Sequence, residues 1–107
     1  MGLTLKLRDG ETVTATIRSA TEFPNSDTGT VMLCLHAEVS TWPGTVKTIY
    51  CPSSAGRDLL AAGAHRYLSR DKLGVFDLDG APKRWRIRRT TRNAVRLFPL
   101  TSDGAGV

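Results

Sequence analysis

Apolar residues recur at every second position through much of this chain. Leu3, Leu5 and Leu7 alternate with Thr4, Lys6 and Arg8; Val13, Ala15 and Ile17 alternate with Thr12, Thr14 and Thr16. A period of two with β-branched residues predicts strands. Between the two runs, a three-residue loop of Arg8, Asp9 and Gly10 places Gly10 where a positive φ is needed. It pairs Leu5 with Val13 and Leu3 with Ala15, so that the apolar residues share one face. Residues 23–29, FPNSDTG, read as a loop on turn chemistry. A strand follows from Thr30 to Ser40, with Val31, Leu33, Leu35, Ala37 and Val39 on one face and Met32, Cys34, His36 and Glu38 on the other. Its apolar residues on both faces predict a central strand. Pro43-Gly44 turns the chain, and Val46 to Cys51 returns.

The period then changes. Pro52 ends the strand, and Ser53 or Ser54 caps a predicted helix reaching about Arg70. Asp58 near its start and His65, Arg66 and Arg70 near its end suit the helix dipole. Leu60, Ala64, Tyr67 and Leu68 form its core-facing stripe. Gly63 would cost such a helix about 1 kcal/mol relative to Ala. Beyond Gly74, strands are predicted at Val75–Leu78, Lys83–Arg89 and Asn93–Phe98, with a turn at Asp79–Pro82. The result is a mainly β, α+β fold: a small antiparallel β-barrel or curled sheet of about seven strands, with one helix inserted after the fourth strand.

Length and composition sharpen this picture. The chain has 107 residues, 40% of them hydrophobic and 23% charged, which suits one globular domain. We read residues 1–100 as that domain and 101–107, TSDGAGV, as a flexible tail. No apolar run nears the ~20 residues that span a bilayer. The alternating N-terminus does not read as a signal peptide, so the expected compartment is the cytoplasm.

Charge is unevenly placed. Of 15 basic residues, seven lie between Lys83 and Phe98, with no acid among them: Lys83, Arg84, Arg86, Arg88, Arg89, Arg92 and Arg96. The rest of the chain has 8 basic and 10 acidic residues, a net of −2. Two predicted hairpins organise this segment. The turn at Asp79–Pro82 places Phe76 across from Trp85 and Asp77 across from Arg84. A loop of Thr90, Thr91 and Arg92 places Ile87 across from Val95, Trp85 from Leu97, Arg86 from Arg96 and Arg84 from Phe98. Phe76, Trp85, Ile87, Val95 and Leu97 then face the core, and Arg84, Arg86, Arg88 and Arg96 stand outward on a patch of about 7 by 14 Å. Like charges facing across strands destabilise the free sheet, and an acidic ligand relieves them. Arginine's planar fork suits phosphate, and a two-stranded ribbon fits a DNA major groove. Seven phosphate contacts would give a salt slope of about −6 on duplex DNA.

The expected function is therefore a non-enzymatic binding module. It presents Lys83, Arg84, Arg86, Arg88, Arg89, Arg92, Arg96 and Phe98 to nucleic-acid phosphates, duplex or shape-based. Two alternatives stand beside it. The same face could meet an acidic protein partner, as in regulatory, phage-assembly or inhibitor proteins, or it could be a solvated surface. The chain would act as a monomer or homodimer, without membrane or cofactor. No phosphate-cradling glycine loop, GxSxG, HExxH or EF-hand loop is present. Cys34, His36, Glu38 and Cys51 form the other chemical cluster. A two-residue loop at Pro43-Gly44 would set His36 opposite Cys51, where zinc binding or thiolate activation is conceivable; buried structural thiols are the simpler reading. His65 reads as a solvated helix residue. Trp42 either packs over its own hairpin or anchors a partner.

Overall fold

The computed structural model describes residues 4–91 and 94–100. It is an antiparallel sheet of seven strands with one short helix: β1 (Thr12–Asn25), β2 (Thr30–Val39), β3 (Val46–Pro52), α1 (Gly56–Ala61), β4 (His65–Leu68), β5 (Gly74–Asp77), β6 (Arg84–Thr91) and β7 (Ala94–Leu100). The fold class is as expected, but three of the connections differ.

Strand β1 is longer than the alternation implies. A bulge between Ile17 and Ser19 shifts its inward positions from Ala15 and Ile17 to Ala20. The period of two breaks at that point, so the sequence pattern stops while the strand continues. Phe23, Pro24 and Asn25, expected in a loop, pair with Met32, Val31 and Thr30. The true turn is Ser26–Gly29, where Gly29 takes φ +72° and its N–H donates to the Asn25 carbonyl at 2.8 Å.

One edge of β1 pairs with β2 from Ala15 to Asn25. The other is shared, with β6 beside Thr12–Thr16 and β5 beside Ala20 and Thr21. The expected N-terminal hairpin therefore does not form. A turn does occupy Arg8–Glu11, with Gly10 at φ +81°. The segment before it runs to β3, where Thr4 bridges Thr48 and the Leu5 N–H donates to the Thr48 carbonyl at 2.8 Å. Leu3 lies outside the described residues. β6 holds the edge that this segment was expected to take.

The helix is much shorter than predicted and follows the third strand. A 3-10 turn at Ser53–Ala55 leads into α1, which ends at Ala61. Gly63 then takes φ +112° with its Cα against the Gly80 carbonyl, an approach that leaves no room for a Cβ. Only glycine combines that conformation with that contact. Beyond it the chain is extended, and His65–Leu68 is a strand paired with β5. Leu60, Tyr67 and Leu68, expected to face the core, are exposed; Leu59 and Ala55 are buried instead.

The third difference concerns β5. It pairs with β4 and β1 but not with β6, so Phe76 does not face Trp85 and Asp77 lies opposite His65, not Arg84. Phe76 and Trp85 still enter one core with Leu33, Leu35, Ile49, Leu59, Ile87 and Leu97. The Trp85 indole N–H donates to the Pro82 carbonyl at 2.8 Å. Outer strands β3 and β7 approach one another, but no ladder joins them among the described residues. The sheet is curled and is not closed by pairing there. Among those residues no helix is long and apolar enough to cross a membrane.

Glu22 ties the β4–β5 hairpin to β1. Its carboxylate accepts two bonds from Arg66, at 2.8 and 2.9 Å, and one from the Gly74 N–H at 2.9 Å. The Arg66 bonds, with help from Gly74, hold its pKa below the ordinary 4.5 against the opposing effect of partial burial.

Two stability predictions follow from these contacts. Gly63→Ala should lower stability by about 1–3 kcal/mol in urea unfolding, and more than Gly29→Ala, where a Cβ meets nothing within 4 Å. Equal losses would mean that the Gly80 contact is unimportant. Because the Glu22 pKa is depressed by folding, its contribution is complete above the unfolded value and is lost as pH falls through the folded one. Glu22→Gln should therefore be less stable at pH 7, and its deficit should close as pH falls below the ordinary carboxyl value of 4.5. A pH-independent deficit would point to packing alone.

Candidate nucleic-acid interface

β6 alternates strictly. Trp85 and Ile87 point inward and are fully buried, while Arg84, Arg86 and Arg88 point outward and are exposed. Its partner β7 sends Val95 and Leu97 inward and Arg96 and Phe98 outward. The faces are as expected, but the register differs by two residues. Arg88 faces Arg96, Arg86 faces Phe98, and Arg84 faces Leu100. Thr91 pairs with Ala94, a tighter hairpin than expected, and a bulge between Arg89 and Thr91 takes back one residue, so the net shift is even. A shift of two keeps every side chain on its face and changes only its neighbours.

The seven predicted cations divide into groups. Arg84, Arg86 and Arg88 make no ion pair or side-chain hydrogen bond among the described residues. Lys83, just before β6, is exposed. Arg96 also points outward, but it forks onto Asp58 of α1 at 3.0 and 3.1 Å. Asp58 in addition accepts the Leu97 N–H at 2.9 Å. These bonds raise the pKa of Arg96 and draw its charge away from Arg88. Arg89 does not belong to the face. It is half-buried, donating to the Leu7 carbonyl at 2.8 Å and lying 3.3 Å from Asp9. Arg92 lies outside the described residues.

A second row escapes sequence reading. Thr12, Thr14 and Thr16 of β1 lie directly opposite Arg88, Arg86 and Arg84. Directly opposed residues share a face, so a stripe of hydroxyls runs beside the stripe of guanidinium groups. The alternating threonines are visible in the chain, but their neighbour is set by long-range pairing. Phe98 is 39% exposed, and the Arg96 guanidinium carbon sits 5.6 Å from its ring centroid.

No protein-family model, curated protein or solved structure matches this chain. The chemistry of its faces therefore carries the functional reading.

The cysteine cluster does not assemble as the two-residue loop would require. The β2–β3 connection is longer, His36 faces Thr48, and Cys51 faces Leu33 on the buried side. Cys51 and Cys34 thus lie on opposite faces of the sheet. Cys34 and His36 do share a face, with Sγ and Nε2 3.9 Å apart and Ser19 Oγ 3.0 Å from Nδ1. Glu38 is occupied elsewhere. It accepts the Gly44 N–H and an Arg18 bond, which hold its pKa low. Burial raises the Cys34 thiol. Burial, together with the charge of Cys34, pushes Cys51 up to about 12. Both remain thiols at neutral pH, the opposite of an activated nucleophile.

His65 lies on β4, not on a helix. Trp42 is exposed, with Lys47 Nζ 4.9 Å from its ring centroid; Tyr50 packs on Phe23 at 5.1 Å. A cavity of about 320 Å³ opens between the N-terminal segment, β3 and β7. Its lining includes Leu5, Leu7, Ile49 and Val95. Its guanidinium, Arg89, is already committed to Leu7 and Asp9.

Alkylation tests the reading of the thiols. At pH 7.5, Cys34 and Cys51 should react about tenfold or more slowly in the native protein than in urea. Fast native labelling of Cys34 would mean that His36 activates it.

Proposed function

We propose that this chain is a non-enzymatic binding module that holds nucleic-acid phosphates on the outward face of β6. The observation that carries the reading is the row of three exposed arginines at alternate positions that pair with no carboxylate among the described residues. Three acids around the sheet are spent on other arginines: Asp58 on Arg96, Asp9 on Arg89 and Glu38 on Arg18. Like charges on neighbouring positions of an exposed sheet face cost stability and contribute nothing to the fold. A regularly charged polyanion recovers that cost at every second residue. The guanidinium fork grips phosphate oxygens through two bonds, and flanking threonine hydroxyls add the hydrogen bonds that commonly position a phosphate backbone.

The footprint is smaller than the sequence suggests. Lys83, Arg84, Arg86 and Arg88 supply its open charge, with Arg96 shared with Asp58. Four phosphate contacts give a salt slope of about −3 to −4, against about −6 for seven.

The test is anisotropy of a labelled oligonucleotide across a salt series. The slope should lie in that smaller range, and Arg86→Glu with Arg88→Glu should abolish binding at low salt. Full affinity in this doubly reversed protein would sink the reading. Failure of the parent to bind nucleic acid, together with salt-sensitive capture of an acidic protein lost on the same reversals, would transfer the face to a protein partner.

A further inference from the structure

We infer that the face takes a single nucleic-acid strand rather than a duplex, with one unstacked base on the ring of Phe98. This rests on the phosphate-binding reading above and names its substrate class.

The first argument is topological. A two-stranded ribbon can enter a major groove about 12 Å wide, but β6 is not in such a ribbon. It is bounded by β7 on one side and β1 on the other, and β1 continues into β2 and β3. With strands ~4.8 Å apart, the arginine row lies well inside a broad surface. Only the far edge of β7 could enter a groove, and the unpaired arginines are not on that strand. A broad sheet face is instead suited to a strand laid across it.

The second argument is Phe98. Its ring sits in the cationic field, directly opposite Arg86 and two residues from Arg96. Core packing does not explain it, because β7 fills the core with Val95 and Leu97 from its other face. Phosphate contact does not require it either. Every base has a π-face, and stacking on an exposed aromatic beside arginines is how single strands are held without sequence preference. Arg96 lies over the Phe98 ring. Asp58 fixes its guanidinium through two bonds, so a planar cation stands at the ring without having to be ordered on binding. Bases stack on guanidinium planes as well as on rings. A base set on Phe98 leaves its flanking phosphates to Arg84, Arg86 and Arg88 and to the hydroxyls of Thr12, Thr14 and Thr16.

The experiment compares three labelled oligomers of about twelve units: a homopolymer single strand, a duplex of equal length, and an abasic strand carrying the same phosphates. Three proteins are used: the parent, Phe98→Leu, which keeps apolar bulk but removes the π-face, and Phe98→Tyr, which restores it. The single strand should bind the parent more tightly than the duplex or the abasic strand. Phe98→Leu should weaken the single strand by about fivefold or more and leave the other two unchanged; Phe98→Tyr should recover the affinity. Equal binding of all three oligomers, lost on Arg86→Glu but unaffected by Phe98→Leu, would overturn the single-strand inference and leave the phosphate reading standing. Absence of binding by all three would overturn both.

Discussion

Strand β1 cannot satisfy its neighbours as a straight strand. It gives one edge to β2 from Ala15 to Asn25 and divides the other between β6 and β5, both antiparallel to it. The bulge at Arg18 permits this by adding a residue and bending the strand where the second edge changes partner. Before it, Val13 and Ala15 lie opposite Ile87 and Trp85; after it, Ala20 lies opposite Phe76. The helix, the β4–β5 hairpin and the basic hairpin are all placed by this division. The small alanines at 15 and 20 let the two branches close over one core.

Electrostatics sorts the arginines into two populations. Arg18, Arg66, Arg89 and Arg96 hold pieces of the fold together through Glu38, Glu22, Asp9 and Asp58. Three of these carboxylates, Glu22, Glu38 and Asp58, also accept a backbone N–H, so each secures the chain path as well as a charge. Arg84, Arg86 and Arg88 belong to the other population. They alternate with fully buried Trp85 and Ile87, which lie on the opposite face of the strand, yet meet no acid among the described residues. A packed base beneath that charge would suit the proposed polyanion, because little order has to be imposed on binding.

Much of this arrangement was legible in the chain. The alternation in β2 and β6 identified both faces of each strand, and the basic segment was apparent as a local excess. A register error of two residues did not move an arginine from its face, since side-chain direction repeats with that period. Other features were hidden. Gly63 looked like a weak helix residue because its value lies in a contact with Gly80, far along the chain. Tyr67 and Leu68 fit a helical stripe as well as a strand. The β2–β3 loop of unknown length left Cys51 free to fall on either face, and an odd shift put it in the core.

Sequence alone determined the strand-rich class, the outward stripe of arginines and the inward stripe of Trp85, Ile87, Val95 and Leu97, because local periodicity assigns a residue to a face without knowing its partner. Tertiary structure alone decided which strand lies beside which. It put the threonine row of β1 next to the arginines, set Phe98 against Arg86, and gave Arg96 and Arg89 to acids while leaving Arg84, Arg86 and Arg88 without an ion pair among the described residues. Pairing is a property of distant segments competing for the same edge. When β6 displaced the N-terminal segment from β1, it built a broad mixed face that no local stretch of the chain encodes.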